Sequence, residues 1–515
     1  MSLARIMSAQ PHLLNGTLIT VEIDITKNSL HAFSIVGLPD KAVDEAKDRV
    51  SSALKNSGYS APKSQNQKIV VSLAPADLKK EGSYFDVAIA LGYLLANDEI
   101  SFDTTGIVYI GELSLAGDIL PVKGVLALAQ EAKRQGCTTL YVAEGNAQEA
   151  SLIEGITVFA PKNLHELINH LDQKKAHTEI NTLTPYTKTH TDSVPENTSS
   201  DFSLIKGQDA AKRGLLIAAA GGHNIALSGP PGTGKTMLAR AFAGILPTLS
   251  NDDALEVMSI HSIAGTMTHT LMHEPPFRSP HHTSSYVSII GGGATPKPGE
   301  ITLAHKGVLF LDEFPEFDKR VVESLRQPLE DNVVTVARAK GTARFPANFI
   351  LVAAMNPCPC GFRGSKQKRC ICTPSDLMRY ERKLSGPIMD RIDLWVTVPQ
   401  VDFDTLSDNT PSGEGSVVFR EKVAQARKKQ RTRFGTVRND LRTNSDMRAQ
   451  DIIHHVTLSP DVRTILNQSA ERLQLSARAY HRIIKLARTI ADLEGSESID
   501  STHILEALQY RPKIS

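Results

Sequence analysis

Tryptophan occurs once in the 515 residues, cysteine five times, and the aromatic types together make up only 5%. Four of the five cysteines crowd into residues 358–372, so the chain has no disulfide framework of the kind that holds small secreted folds. A reducing cytoplasm is the expected compartment. No charge sign dominates: 57 Lys and Arg stand against 56 Asp and Glu, and a net +1 excludes neither nucleic acid nor protein partners, because local patches govern that binding. Long apolar runs are missing too. The longest, residues 87–96, falls short of the ~18 residues of a membrane span, and the N-terminal stretch lacks the apolar core of a signal peptide, so no membrane partner and no export are expected. What remains, 41% hydrophobic and 22% charged residues, is an ordinary globular composition long enough for about three domains.

Residues 1–171 read as an α/β domain. Residues 39–56 carry Pro39 in the first turn and Ala42, Ala46, Val50 and Leu54 on one stripe, with Gly58 as a stop, which predicts a helix. Short β-rich runs at 69–73 and 107–110 alternate with helical stretches at 87–95 and 124–134. Residues 172–203 hold eleven Ser or Thr and few apolar side chains, too few for a core, so a flexible linker is expected there. Residues 204–399 carry the chemistry. Residues 400–515 read as mostly helical, with amphipathic patterns at 460–473 and 477–493 and a last helix near 502–509.

An apolar run at 224–228 leads into Gly229, Pro230, Pro231, Gly232, Thr233, Gly234, Lys235 and Thr236, and then into a helical stretch. Strand, glycine loop and helix are the setting of a P-loop: backbone N–H groups surround the β-phosphate of ATP, Lys235 reaches the β/γ oxygens, and Thr236 offers a hydroxyl to Mg²⁺. The strand pattern that follows Gly307 ends in Asp312 and Glu313. At the carboxyl end of a parallel strand these acids should face the loop, Asp312 toward Mg²⁺ and Glu313 toward the attacking water. Another apolar strand, 349–355, ends at Asn356, whose amide suits orientation of that water. Arg391 stands between Asp390 and Asp393 ahead of a strand at 395–398, and both a weak surface pair and an arginine finger toward a neighbouring subunit's γ-phosphate are open readings.

Taken together, GPPGTGKT, VLFLDE, Asn356 and MDRIDL resemble an AAA+ ATPase of the magnesium-chelatase-like branch. PFRSPHHTSS, GGGATPKPGEITLAHKGVLFLDE and SARAYHRIIKLARTIADLEG are similar to the ComM/YifB group within it, and the resemblance covers nearly the whole chain except the linker. It implies a P-loop AAA+ α/β core over 204–399 and a helical C-terminal lid domain over 400–515. Through LKKEGSYFDVAIALGYLLA and GELSLAGDILPVKGVLALAQEAKRQG it also implies a Lon-protease-like (S5-like) α+β N-terminal domain. Arg391 then matches the family's arginine finger and Arg478 its sensor-2 arginine. The same resemblance implies a homo-hexameric ring with DNA helicase activity, driving branch migration in homologous recombination during natural transformation. Its partners would be single-stranded and branched DNA and recombination proteins. The alternative is a magnesium-chelatase-type motor that remodels a protein partner; the linker, the Lon-like block, the four cysteines and the missing DxSxS motif favour DNA. The positions aligned with the Lon nucleophile and lysine are Tyr84 and Leu126, neither able to do that work, so proteolytic inactivity is expected, with Ser83 the nearby hydroxyl.

Cys358, Cys360, Cys370 and Cys372 form two CxC pairs that suit tetrahedral Zn²⁺, with free thiols as the alternative, and Arg363, Lys366, Lys368 and Arg369 lie between them to offset thiolate charge. Cys137 reads as a small core hydrophobe. Five histidines fall within 261–282, and the adjacent His281 and His282 should point different ways rather than share a metal. Residues 333–345 predict a hairpin, Gly341 permitting its turn, with Arg338, Lys340 and Arg344 at the tip as candidate DNA contacts or as solvated charges. Residues 420–442 hold nine Lys or Arg against two acids, a patch that either tracks phosphates or covers a solvated or intersubunit face.

Overall fold

The computed structural model describes residues 3–175, 183–187, 201–267, 272–293, 296–338, 341–365, 368–402, 414–435 and 441–512. The chain divides into two compact units, Met1–Ser193 with Leu255–Met272, and Val194–Ala254 with His273–Ser515. Among the described residues no helix is long and apolar enough to cross a membrane.

The first unit is built on a seven-stranded mixed sheet, in the order Ala32–Val36, Gln67–Ala74, Asn15–Lys27, Leu3–His12, Ile107–Tyr109, Thr139–Tyr141, Thr157–Phe159. Its longest strands, Leu3–His12 and Asn15–Lys27, pair antiparallel from Leu3↔Asp24 to His12↔Asn15. Along the second, Ile19, Val21, Ile23 and Ile25 are buried while Thr20, Glu22 and Asp24 alternate with them, the period of two that puts one face in the core. Helix Asp86–Ala96 packs on that face and is buried at every position but Leu95, as expected of a helix that is apolar all round. The helix expected over 39–56 is two, Lys41–Asp44 and Ala46–Asn56: Asp40 caps the first by accepting from the Val43 N–H, and Glu45 separates them.

Part of the expected linker is ordered against this unit. Asp172 is buried and accepts from the Ser101 N–H at 3.1 Å, Leu183 packs on the core, and the Tyr186 N–H donates to Val158 O at 2.7 Å. Leu126 is fully buried, Ser83 bonds Glu112, and the buried Lys80 ammonium donates to the carbonyls of Pro75 and Leu78. The nearest serine thus has a carboxylate partner, and the lysine beside it in sequence donates to main-chain carbonyls.

The second unit holds a five-stranded parallel sheet in the order Phe277–Arg278, Val308–Leu311, Ile350–Met355, Ile225–Ser228, Leu394–Thr397. Val308–Leu311 and Ile350–Met355 are buried at every residue, the unbroken apolar run of strands covered on both faces. Helix Asp209–Gly221 packs against Ile225–Ser228 and Leu394–Thr397, and helix Lys235–Ile245 against Ile350–Met355. Helices Ser416–Phe434, Pro460–Arg472, Ala477–Glu494 and Ser501–Gln509 join the same hydrophobic core as the sheet. Phe202, fully buried, stacks on Phe419 at 4.9 Å, so this core already includes residues upstream of Leu204.

Candidate functional site

The order of the parallel strands brings three loop ends to one edge. Ile225–Ser228 runs directly into Gly229, Val308–Leu311 into Asp312, and Ile350–Met355 into Asn356. These are the carboxyl ends of three neighbouring strands, where open α/β sheets collect ligands. Gly232 and Gly234 take φ of 77° and 84°, a conformation costly for other residues, and a Cβ on either would meet nothing within 4 Å. The loop then enters helix Lys235–Ile245.

Lys235 is buried, and its ammonium donates to Gly229 O at 2.7 Å, Pro230 O at 2.9 Å and Asn356 Oδ1 at 3.3 Å. Burial lowers its pKa and Asp312 partly opposes that. Thr236 donates its hydroxyl to Asp312 Oδ2 at 2.8 Å. A hydroxyl and a carboxylate adjacent at the first turn of a P-loop helix are the oxygen donors that fit Mg²⁺ beside phosphates. Glu313 has φ of 52°, donates its N–H to Asp312 Oδ1 at 2.9 Å, and lies with Oε2 3.0 Å from His282 Nδ1. The His281 and His282 rings sit 4.2 Å apart, but His281 bonds Thr283 instead. Sequence reasoning weighed this histidine pair for metal and so missed the His282–Glu313 contact. The two residues are 31 apart, and no periodic pattern joins them.

Arg391 and Arg478 come together, away from this edge. Strands Ile225–Ser228 and Leu394–Thr397 align Ile225 with Leu394 and Ser228 with Thr397. Asn224 Nδ2 donates to Arg391 O at 3.2 Å, so Arg391 lies at the amino edge of the sheet while Gly229 leaves the carboxyl edge. Four residues at about 3.3 Å each separate the edges by about 13 Å. Arg391 is largely buried, donates to Pro387 O at 2.8 Å, and bonds Glu330 Oε2. Arg478, in the first turn of Ala477–Glu494, donates to Glu330 Oε1 at 3.0 Å. Both arginines and Glu330 line one cavity of about 920 Å³. Nothing in the sequence pointed to Glu330. Nearby, Asp393 is largely buried: desolvation alone would raise its carboxyl, but Arg482, His223 and Lys485 outweigh it and hold the pKa at about 2.

The four cysteines form one cluster. Their Sγ atoms lie within 4.8 Å of one another, with Cys358–Cys360 at 3.4 Å, Cys360–Cys370 at 3.5 Å and Cys358–Cys370 at 3.8 Å. A Zn–S length of about 2.3 Å gives a tetrahedral edge of about 3.8 Å, so the donor set fits Zn²⁺. Backbone N–H groups add to it: Arg363 N–H donates to Cys358 Sγ at 3.3 Å and Cys360 N–H to Cys372 Sγ at 3.4 Å. The Phe362 and Ile371 amides bring the Cys360 thiol down to about 6. The cluster abuts the phosphate loop: a Cβ on Gly361 would lie 2.8 Å from Pro231 Cδ.

Strands Val333–Arg338 and Gly341–Pro346 form the expected hairpin, with Arg338 opposite Gly341. Arg344 pairs with Thr335 well below the turn and lines the Arg391 cavity, so it is not at the tip. Lys340 and the Arg338 side chain lie outside the described residues. Much of the basic stretch is engaged within the chain. Arg420 donates to Gly244 O, Arg427 to Ala219 O, Arg433 pairs with Asp492, Arg442 with Asp253, and Lys422 with Glu414. These side chains are held by partners within the chain, an arrangement that neither a phosphate track nor a solvated or intersubunit face anticipated.

Comparison with known proteins gives concordant matches. Family models described as magnesium chelatase, subunit ChlI (residues 201–406), subunit ChlI of Mg-chelatase (21–146) and magnesium chelatase, subunit ChlI C-terminal (413–511) match successive parts of the chain. Competence protein ComM of Haemophilus influenzae is 40% identical over 100% of this chain and 98% of its own length. YifB of Escherichia coli is 41% identical over 97% of this chain and 95% of its own. The magnesium-chelatase 67 kDa subunit of Heliobacterium mobile is 25% identical over 40% of this chain and 35% of its own.

Proposed function

The chain belongs to the ComM/YifB family of magnesium-chelatase-like AAA+ ATPases, and from that premise we propose that it is a cytoplasmic, hexameric ATP-driven DNA motor. Its action would be that of a helicase promoting branch migration of single-stranded and branched DNA in recombination during natural transformation. The name of the competence relative supports the setting. Residues 1–171 would be a Lon-like, proteolytically inactive module, 172–203 a linker, 204–399 the AAA+ core and 400–515 the lid.

The observation that carries the reading is the split site. Lys235, Thr236, Asp312 and Asn356 share the carboxyl edge of the sheet, while Arg391 and Arg478 meet at the amino edge, about 13 Å of strand away. Two half-sites on opposite edges of one chain suit a ring in which one subunit's phosphate loop meets the next subunit's arginines. In that arrangement the loop from Gly229 to Thr236 holds ATP, and Lys235 leaves its carbonyl partners for the β/γ oxygens. Thr236 and Asp312 would hold Mg²⁺, which when bound neutralises charge on those oxygens. Glu313 takes the proton of the attacking water and Asn356 orients that water. Arg391 and Arg478 from the neighbour stabilise charge on the transferred phosphoryl group. The four cysteines would hold Zn²⁺, and the hairpin carrying Arg338, Lys340 and Arg344 would approach DNA.

The test is ATP turnover and strand displacement by the purified protein on forked DNA. Turnover stimulated by forked DNA, together with displacement, supports the motor. Turnover indifferent to DNA but stimulated by a protein partner would replace it with the remodelling reading that the chelatase matches suggest.

A further inference from the structure

We propose that Glu330 is a positioning residue that restrains Arg391 and Arg478: within one chain its carboxylate stands in for the neighbouring subunit's γ-phosphate and holds both guanidinium groups until that anion displaces it. The inference rests on the reading above, in which both arginines serve a neighbour's nucleotide.

Each oxygen of the carboxylate has its own arginine, Arg391 on Oε2 and Arg478 on Oε1. The two arrive from unrelated elements, one just after the short helix Gly386–Met389 and one at the start of Ala477–Glu494. Arg344, Arg482 and Lys485 line the same cavity. Arg482 and Lys485 have Asp393 as their anion, whereas between Arg391 and Arg478 the Glu330 carboxylate is the anion that offsets their mutual repulsion. A γ-phosphoryl group, with more charge and three oxygens, is the stronger partner for two arginine forks and displaces a single half-exposed carboxylate.

The position of Glu330 in the chain links this restraint to the hairpin. Glu330 lies in Pro328–Asp331, the turn of helix that leads straight into Val333–Arg338. Gln327, next to it, grips the hairpin by both ends of its amide: Nε2 donates to Thr335 Oγ1 at 2.9 Å and Oε1 accepts from the Thr335 N–H at 3.2 Å. Arg326 donates to Ser385 Oγ at 3.3 Å, and Ser385 caps the helix whose Pro387 carbonyl accepts from Arg391. A polynucleotide that shifts the hairpin strand therefore shifts Glu330 relative to the arginines. Contiguous contacts of this kind are a route for coupling, and only a perturbation of the restraint establishes it.

The experiment compares full-length wild type, Glu330→Gln, Glu330→Asp and Arg391→Ala. Removing the charge of the half-exposed Glu330 carboxylate should release the arginines by about fivefold, so Glu330→Gln should hydrolyse ATP about fivefold faster than wild type without DNA, with its stimulation by single-stranded DNA reduced toward one. Glu330→Asp, too short to reach both arginines, should fall between, and Arg391→Ala should be slow. In sedimentation with the non-hydrolysed analogue AMP-PNP, Glu330→Gln should assemble at lower protein concentration than wild type, a readout that needs no turnover. A Glu330→Gln rate at or below wild type without DNA, or unchanged assembly, overturns the proposal. A scaffold role predicts only losses. Should Glu330→Gln misfold, Glu330→Asp decides by the same two readouts. Wild-type turnover indifferent to DNA would instead sink the motor reading, while the DNA-free comparison still judges Glu330.

Discussion

Gly361, between the two cysteine pairs, makes a sharp test of whether the cluster braces the phosphate loop. Its φ is +83°, and a Cβ there would lie 2.8 and 2.9 Å from Pro231 Cδ and Cγ. Gly364, three residues on, has φ of +77°, but a Cβ would meet nothing within 4 Å. Gly361→Ala and Gly364→Ala therefore share the left-handed backbone cost of about 1–2 kcal/mol, and only the first adds an overpacking cost of about 1–3 kcal/mol. The proline ring is part of the loop and cannot rotate away like a flexible side chain, so Pro231 must move. If that shift takes the loop out of its binding geometry, the extra cost appears as ATP affinity weakened by about 5- to 150-fold relative to Gly364→Ala. Equilibrium titration with a fluorescent ATP analogue measures the difference directly. Equal affinities for the two variants would refute the idea that the cysteine loop supports the nucleotide site.

Other consequences follow from the same contacts. Lys235→Ala should abolish ATP turnover while leaving the circular dichroism spectrum and thermal transition near wild type, because the side chain donates only to loop carbonyls and Asn356; residual turnover above a tenth of wild type would contradict its role. Elemental analysis should find one zinc per chain, and Cys360→Ser should lose it, since four Sγ atoms within 4.8 Å fit one ion; metal-free protein equally stable to chelator would remove the zinc. Asp393 has a native pKa of about 2, below its ordinary value of 3.8, so its share of stability is present above pH ~4 and fades as pH falls through 2. That share is about 2 kcal/mol, so the denaturation difference between wild type and Asp393→Asn should shrink by about that much from pH 4 to pH 2. A difference independent of pH would place the ion pairs elsewhere.

The carboxyl-edge residues were legible because each sits at the end of an apolar strand, a local pattern that specifies both the element and the side of the sheet. Gly229 to Thr236, Asp312 and Asn356 needed only that rule to be brought to one edge. The long antiparallel pair Leu3–His12 and Asn15–Lys27 went unassigned, although ITVEIDIT alternates strictly, the period-two run of a half-buried strand. Glu330 was invisible for a different reason. It lies in a single turn of helix with no periodicity, and its meaning depends on Arg391 and Arg478, 61 and 148 residues away. In the basic stretch, long side chains near helix carbonyls satisfy main-chain acceptors such as Ala219 O and Gly244 O, which composition does not show because it counts charge without counting partners.

The central claim, that each nucleotide is hydrolysed by residues of two adjoining subunits, is tested most directly by mixing. Lys235→Ala and Arg391→Ala proteins should each be inactive alone, one lacking its phosphate lysine and the other its finger. Co-assembled in equal amounts, about a quarter of the interfaces in a closed ring pair an intact loop with an intact finger, so ATP turnover should recover to about that fraction of wild type. Mixed assemblies, verified by differently tagged subunits, that stay as inactive as their parents would contradict the account.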